Sequence, residues 1–151
     1  MIEVVSTATP ISAIAPAQTA VQAESRHELL LASKDPVLAA NKKLVYDFWR
    51  EVFEAGHTEL AEQYLAESYV QHNPNVPNGR ASFVAFLKQF RTPQAIATRV
   101  KSPLVSIVAE NDLVIMSFVK IESDRTDPTK KYTTTWFDMF RVEDGKIVEH
   151  W

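Results

Sequence analysis

Apolar residues recur at spacings of three and four from residue 35 onward, and from about residue 95 the spacing falls to two. That change of period divides the chain into a helical first part and a stranded second part. Asp35 followed by Pro36 marks a helix start, with a carboxylate to cap the first N–H groups and a ring that pre-sets the first helical φ. The spacing predicts a helix over 35–55, with Val37, Leu38, Leu44, Val45, Phe48, Trp49, Val52 and Phe53 forming its apolar stripe and Gly56 its left-handed stop. Thr58 caps a shorter second helix carrying Leu60, Tyr64 and Leu65. Residues 69–72 then read as a brief strand, and NPNVPNG (73–79) as a loop. A third helix opens near Gly79, lines up Phe83, Phe86, Leu87 and Phe90, and ends before Pro93.

Strands follow over 95–109, 113–123, 131–142 and 146–151, joined by turns short enough for an antiparallel meander. Three helices followed by a sheet is the α+β pattern, in which the helices pack on one face of the sheet. Residues 1–34 open with about two dozen residues that are rich in Ala, Ser, Thr and Pro and lack either period. They are expected to form a disordered or poorly packed arm, leaving 35–151 as the domain.

Asp138 breaks this pattern. It sits in TTTWFDMFRV (133–142), where alternation places it on the same face as Trp136, Phe140 and Val142. A carboxylate among aromatic side chains loses hydration, which is how proteins poise an acid for proton transfer, so Asp138 is the leading catalytic candidate. The competing reading is a carboxylate satisfied by a neighbour that only shapes the core. The opposite face of this strand, with Thr135, Phe137 and Met139, is apolar too. Helices cover one face only, so a second copy of the sheet is expected on the other, giving a homodimer.

Composition narrows the partners. Net charge is −3 with the signs interspersed and no basic stripe, which argues against nucleic acid. The absence of cysteine excludes disulfides and thiolate chemistry. No stretch is long and apolar enough to span a bilayer. Val21-Gln22-Ala23 would suit a signal peptidase, yet no basic start precedes it and Pro10 and Pro16 break the apolar stretch. A cytoplasmic location is favoured over a secreted or periplasmic one. The three histidines of the domain, His57, His72 and His150, lack metal-ligand spacing, and three glycines cannot build a phosphate loop, so neither metal nor nucleotide cofactor is expected.

Two histidines can share proton transfer with Asp138: His72, which closes the short strand, and His150, on the final strand and free to face either side. Tyr69, Gln71 and Asn73 are candidate donors to an oxyanion. Tyr46, Trp49, Phe53, Trp136 and Phe140 are candidate walls of an apolar pocket for a small hydrophobic molecule.

The segments YVQHNPNVPNGRASFVAFL (69–87) and WFDMFRVEDGKIVEHW (136–151) resemble the SnoaL-like polyketide cyclase family of the nuclear transport factor 2-like superfamily. The resemblance implies a cone in which a curved antiparallel sheet wraps the helices around an apolar pocket, with dimerisation through the sheet. It implies a cofactor-independent acid/base enzyme acting on a small hydrophobic carbonyl compound by aldol cyclisation, isomerisation or dehydration, with Asp138 at the family's aspartate. Where relatives carry a nearby histidine on the preceding strand this chain has Ser117, within LVIMSFV (113–119), which makes Ser117 a substrate-facing candidate. The superfamily also includes non-catalytic binding and dimeric interaction modules, the alternative reading. The similar limonene epoxide hydrolases, which carry a water-activating carboxylate at the position after that of Trp151, supply a third.

Overall fold

The computed structural model describes residues 19–151. Most of the predicted arm, residues 1–18, lies outside the described residues. Asp35 caps α2 (Pro36–Phe48) through Oδ1, which accepts the N–H of Val37 at 2.8 Å and of Leu38 at 3.3 Å. Pro36 occupies the first turn, where its missing N–H costs nothing. The helix continues past Phe48 as wider π-helical turns over Trp49–Glu54, and Gly56 at φ 77° closes it. A 3₁₀ turn (Thr58–Leu60), a short α3 (Ala61–Tyr64) and α4 (Arg80–Phe90) complete the helical layer after α2. On α4, Phe83 and Leu87 are buried as their spacing predicts, whereas Phe90, the last residue of the helix, is 66% exposed and leans on Phe86 instead.

The sheet has five strands, β1 (Leu65–Gln71), β2 (Leu104–Glu110), β3 (Leu113–Ser123), β4 (Lys131–Glu143) and β5 (Lys146–His150), in the order β1-β5-β4-β3-β2. β2 to β5 form the antiparallel meander, and β1 joins its end parallel to β5. The Asp144-Gly145 turn has φ 48° and 71°, the left-handed pair that matches the twist of a tight hairpin. Met116, Phe118, Phe140 and Ile147 point to the helices and are fully buried. Trp49 bridges the layers, its ring 4.9 Å from Phe118 and 5.9 Å from Trp136. This is the α+β architecture expected.

Two segments differ from the sequence reading. Part of residues 19–34 is held against the domain: α1 (His27–Leu31) lies against α2, His27 is buried, and Lys42 Nζ donates to the carbonyls of Leu30 and Ala32 at 2.6 Å each, while most other side chains of the segment are exposed. Leu30 and Leu31 pack against the core beside these polar contacts, and one short turn is too brief for a helical period to show. The strand predicted over 95–109 begins only at Leu104. Ahead of it the backbone is held by side chains in place of a ladder. Tyr46 Oη accepts from Val100 N–H at 3.0 Å, and the Glu54 carboxylate accepts from Lys101 and Ser102 N–H at 2.8 Å each. Pro103 has no N–H to give a neighbouring strand.

Candidate active site

Asp138 and His150 meet on the helix-facing side of the sheet, His150 Nε2 lying 2.8 Å from Asp138 Oδ1. A kink in the register makes this possible. The hairpin pairs Glu143 with Lys146 and Val142 with Ile147, and uninterrupted counting would set Glu149 opposite Phe140. Val148 is instead an extra residue, a β-bulge, so that Glu149 pairs with Arg141 and His150 with Phe140. Val148 therefore turns the imidazole inward and the Glu149 carboxylate outward. The His150 ring stacks on Phe140, centroids 4.4 Å apart and planes within 3°.

The parallel pairing of β1 with β5 puts Gln71 beside His150. Gln71 Oε1 accepts the backbone N–H of Asn73 at 2.9 Å, while its Nε2 lies 2.8 Å from Tyr69 Oη and 2.9 Å from His150 Nδ1. A continuous chain thus runs from Tyr69 through Gln71 and His150 to Asp138. Burial, and after it the charge of Asp138, pushes the Tyr69 hydroxyl up, so it stays a neutral phenol. Asp138 Oδ2 is buried with no hydrogen-bond partner among the described residues. An orphaned carboxylate oxygen is costly to keep and marks a place where a ligand or reacting group can supply the missing partner.

That carboxylate lines a cavity of about 170 Å³ together with Phe48, Trp49, Phe53, Phe83, Trp136 and Val76 as apolar wall and Gln71, Asn73 and His150 as its other polar groups. Trp49 and Phe53 face each other at 4.4 Å, and Trp49 is fixed by Nε1–H donation to Glu54 at 3.2 Å. Asn73 Oδ1 accepts the N–H of Asn75 at 3.0 Å.

Seven of the candidates therefore converge on one cavity: Asp138, His150, Gln71, Asn73, Trp49, Phe53 and Trp136. Tyr69 and Phe140 support it from behind, both essentially buried. Three candidates lie elsewhere. His72 follows Gln71 and so takes the opposite face of β1, where it stacks on Trp151 at 4.8 Å and lies 3.5 Å from Glu149 Oε1. Ser117 pairs with Phe137 on the outer face and shares a 2.7 Å hydrogen bond with Ser106; the residue facing Asp138 across the strands is Met116. Tyr46 is turned toward the N-terminal segment, its hydroxyl 2.7 Å from His27 Nδ1. Phe48, Phe83 and Val76 are wall residues that sequence reasoning missed. The first two read only as core stripe, and Val76 sits in the loop, where periodicity says nothing.

The chain matches the SnoaL-like domain over residues 45–150 and belongs to that family, with the nuclear transport factor 2-like fold. Solved structures of the same fold include a protein from Acidithiobacillus ferrooxidans provisionally described as a polyketide cyclase, 17% identical with TM-score 0.52 over 80% of this chain and 89% of that one. An LEH-like epoxide hydrolase from M. tuberculosis is 14% identical with TM-score 0.52, over 76% of this chain and 82% of the other. A protein from Jannaschia sp. CCS1, provisionally described as a SnoaL-like polyketide cyclase, is 12% identical with TM-score 0.50 over 79% and 88%. At these identities the likeness is one of fold. No curated protein matches the chain in sequence.

Proposed function

We propose that this protein is a cofactor-independent acid/base enzyme acting on a small hydrophobic carbonyl compound, by aldol cyclisation, isomerisation or dehydration, with Asp138 as the base. The observation that carries this reading is the split environment of one carboxylate, with Oδ1 held by His150 and Oδ2 buried and unpartnered, on a residue that lines an aromatic cavity. In the first step a C–H bond beside the carbonyl breaks and its proton moves to Oδ2. The electron pair shifts onto the carbonyl oxygen as an enolate, which then attacks a second carbonyl, is reprotonated at another carbon, or expels a β-hydroxyl that leaves as water with the proton from Asp138. Both hydrogens of the Gln71 amide are engaged, so Asn73, whose oxygen alone is occupied, is the side chain left to donate to the oxyanion. The cavity, at about 170 Å³, falls below the roughly 300 Å³ at which pockets for drug-sized ligands begin, which favours a single-ring substrate.

The test is hydrogen–deuterium exchange at the α-carbon of a panel of monocyclic ketones and β-keto esters in deuterated water. Exchange above background is expected with the wild type and a loss of ~100-fold or more in Asp138→Asn, the usual worth of a general base. Equal exchange in the two removes Asp138 from the chemistry. The second reading is a binding module, favoured by the engaged Gln71 amide and the sparse supply of oxyanion donors. Those ketones held tightly and released without exchange would support it. We also propose a homodimer through the outer sheet face, where Phe137, Ile121 and Val108 are more than half exposed.

A further inference from the structure

We infer that Gln71 acts as a positioning residue that locks His150 in its neutral Nε2–H tautomer, so that the proton Asp138 takes from substrate stays on Asp138. The inference rests on the proposed acid/base reading but is tested without substrate.

Gln71 cannot choose its own orientation. The Asn73 backbone N–H only donates, so the side-chain atom 2.9 Å from it must be the carboxamide oxygen. The nitrogen is thereby turned toward Tyr69 Oη and His150 Nδ1, and its two hydrogens match those two partners at 2.8 and 2.9 Å. To accept, His150 Nδ1 must carry a lone pair, so the ring proton sits on Nε2, where it donates to Asp138 Oδ1 at 2.8 Å. An imidazolium would press Nδ1–H against the amide N–H₂, donor against donor. The one escape is a half-turn of the carboxamide, which would set N–H₂ against the Asn73 N–H and create the same conflict there. The remaining surroundings of the ring bring no opposite charge to Nδ1: Phe140 stacks beneath it, and Glu149 points outward to Arg141 at 2.7 Å.

A histidine held this way donates to the carboxylate and orients it, yet is a poor store for a second proton. The proton cleaved from carbon therefore rests on Asp138 Oδ2 and is returned from the same oxygen. One carboxyl does the work of both acid and base, with His150 as its orienting donor.

The measurement is a long-range ¹H–¹⁵N correlation spectrum of the full chain labelled at histidine, at pH 7, with His150 assigned by the loss of its signals in His150→Asn. The wild type is expected to show a pure Nε2–H tautomer for His150. Gln71→Glu places an acceptor against Nδ1 and is expected to convert the ring to the doubly protonated form, whereas Gln71→Leu removes the donor from Nδ1 and is expected to let some doubly protonated ring appear, the Asp138 carboxylate still requiring Nε2–H. A doubly protonated or Nδ1–H ring in the wild type overturns the inference, as does a spectrum unchanged in both variants. If a variant fails to fold, the wild-type spectrum decides alone. A pure Nε2–H tautomer beside an inert Asp138 would sink the enzyme reading and leave the lock standing. The wrong tautomer beside an Asp138-dependent exchange would do the reverse.

Discussion

Asp138→Asn is expected to leave the hydrogen bond to His150 intact, because a carboxamide oxygen accepts from Nε2–H as a carboxylate oxygen does. Stability should therefore change by no more than about 1 kcal/mol, the scale of one neutral hydrogen bond, in a urea unfolding experiment. A larger loss would mean the charge serves the fold and not a reaction. At this scale the sequence was readable wherever alternation and burial conflicted, which is why Asp138 stood out. His150 was not readable, because its face depends on Val148 being an extra residue, and nothing in KIVEH distinguishes a bulged strand from a regular one. His72 was misplaced for a simpler reason. Once Tyr69 and Gln71 share the inner face, strand alternation sends the next residue outward, and the attraction of a histidine beside a candidate pocket does not change that geometry.

Helices and strands were legible where the apolar period was long, and lost where side chains replace the ladder. Glu54 is the clearest case. It ends the widened turns of α2 and accepts from Lys101 and Ser102 N–H, from Ser102 Oγ and from Trp49 Nε1. One carboxylate thus fixes both the strand-like run before β2 and a wall of the cavity. Glu54→Ala is expected to cost about 2 kcal/mol or more, the worth of hydrogen bonds to a charged acceptor, with a blue or red shift in Trp fluorescence as Trp49 loses its anchor. An unchanged urea midpoint would show that water replaces the carboxylate without loss. α1 is held in a pH-dependent way. His27 is buried against Tyr46, and burial, with the charge of Arg99 behind it, holds the imidazole below its ordinary range. In the unfolded chain the ring binds a proton below about pH 6.5, while in the folded one it resists until lower pH. Its stabilising effect is therefore complete above that value and lost as pH falls below it. His27→Gln is expected to flatten the fall in thermal stability between pH 7 and 5, and a slope equal to that of the wild type would count against the assignment.

For the whole molecule, the helices-then-sheet order was enough to predict a layered α+β fold, but not the attachment of β1 in parallel at the sheet edge beside β5, since a seven-residue strand between two helices carries no label for its partner. The outer face makes its own demand. Phe137 is 64% exposed and Ile121 66%, an apolar surface that a second copy would cover. Light scattering at micromolar concentration is expected to give twice the chain mass, and Phe137→Glu half of that value. A wild-type monomer would remove the dimer proposal. The parallel attachment of β1 also governs when the protein becomes competent. Gln71 and His150 stand 79 residues apart, so the hydrogen bond between them closes a loop that encompasses α4 and the whole meander. Contacts of such separation form late, after loop-closure entropy has been overcome. A chain that has its helices but has not yet seated β5 possesses the Asp138 carboxylate without an orienting donor and a cavity without its polar floor. On the acid/base reading proposed above, partly folded forms would be inert by construction, and activity would wait until β1 and β5 have found each other.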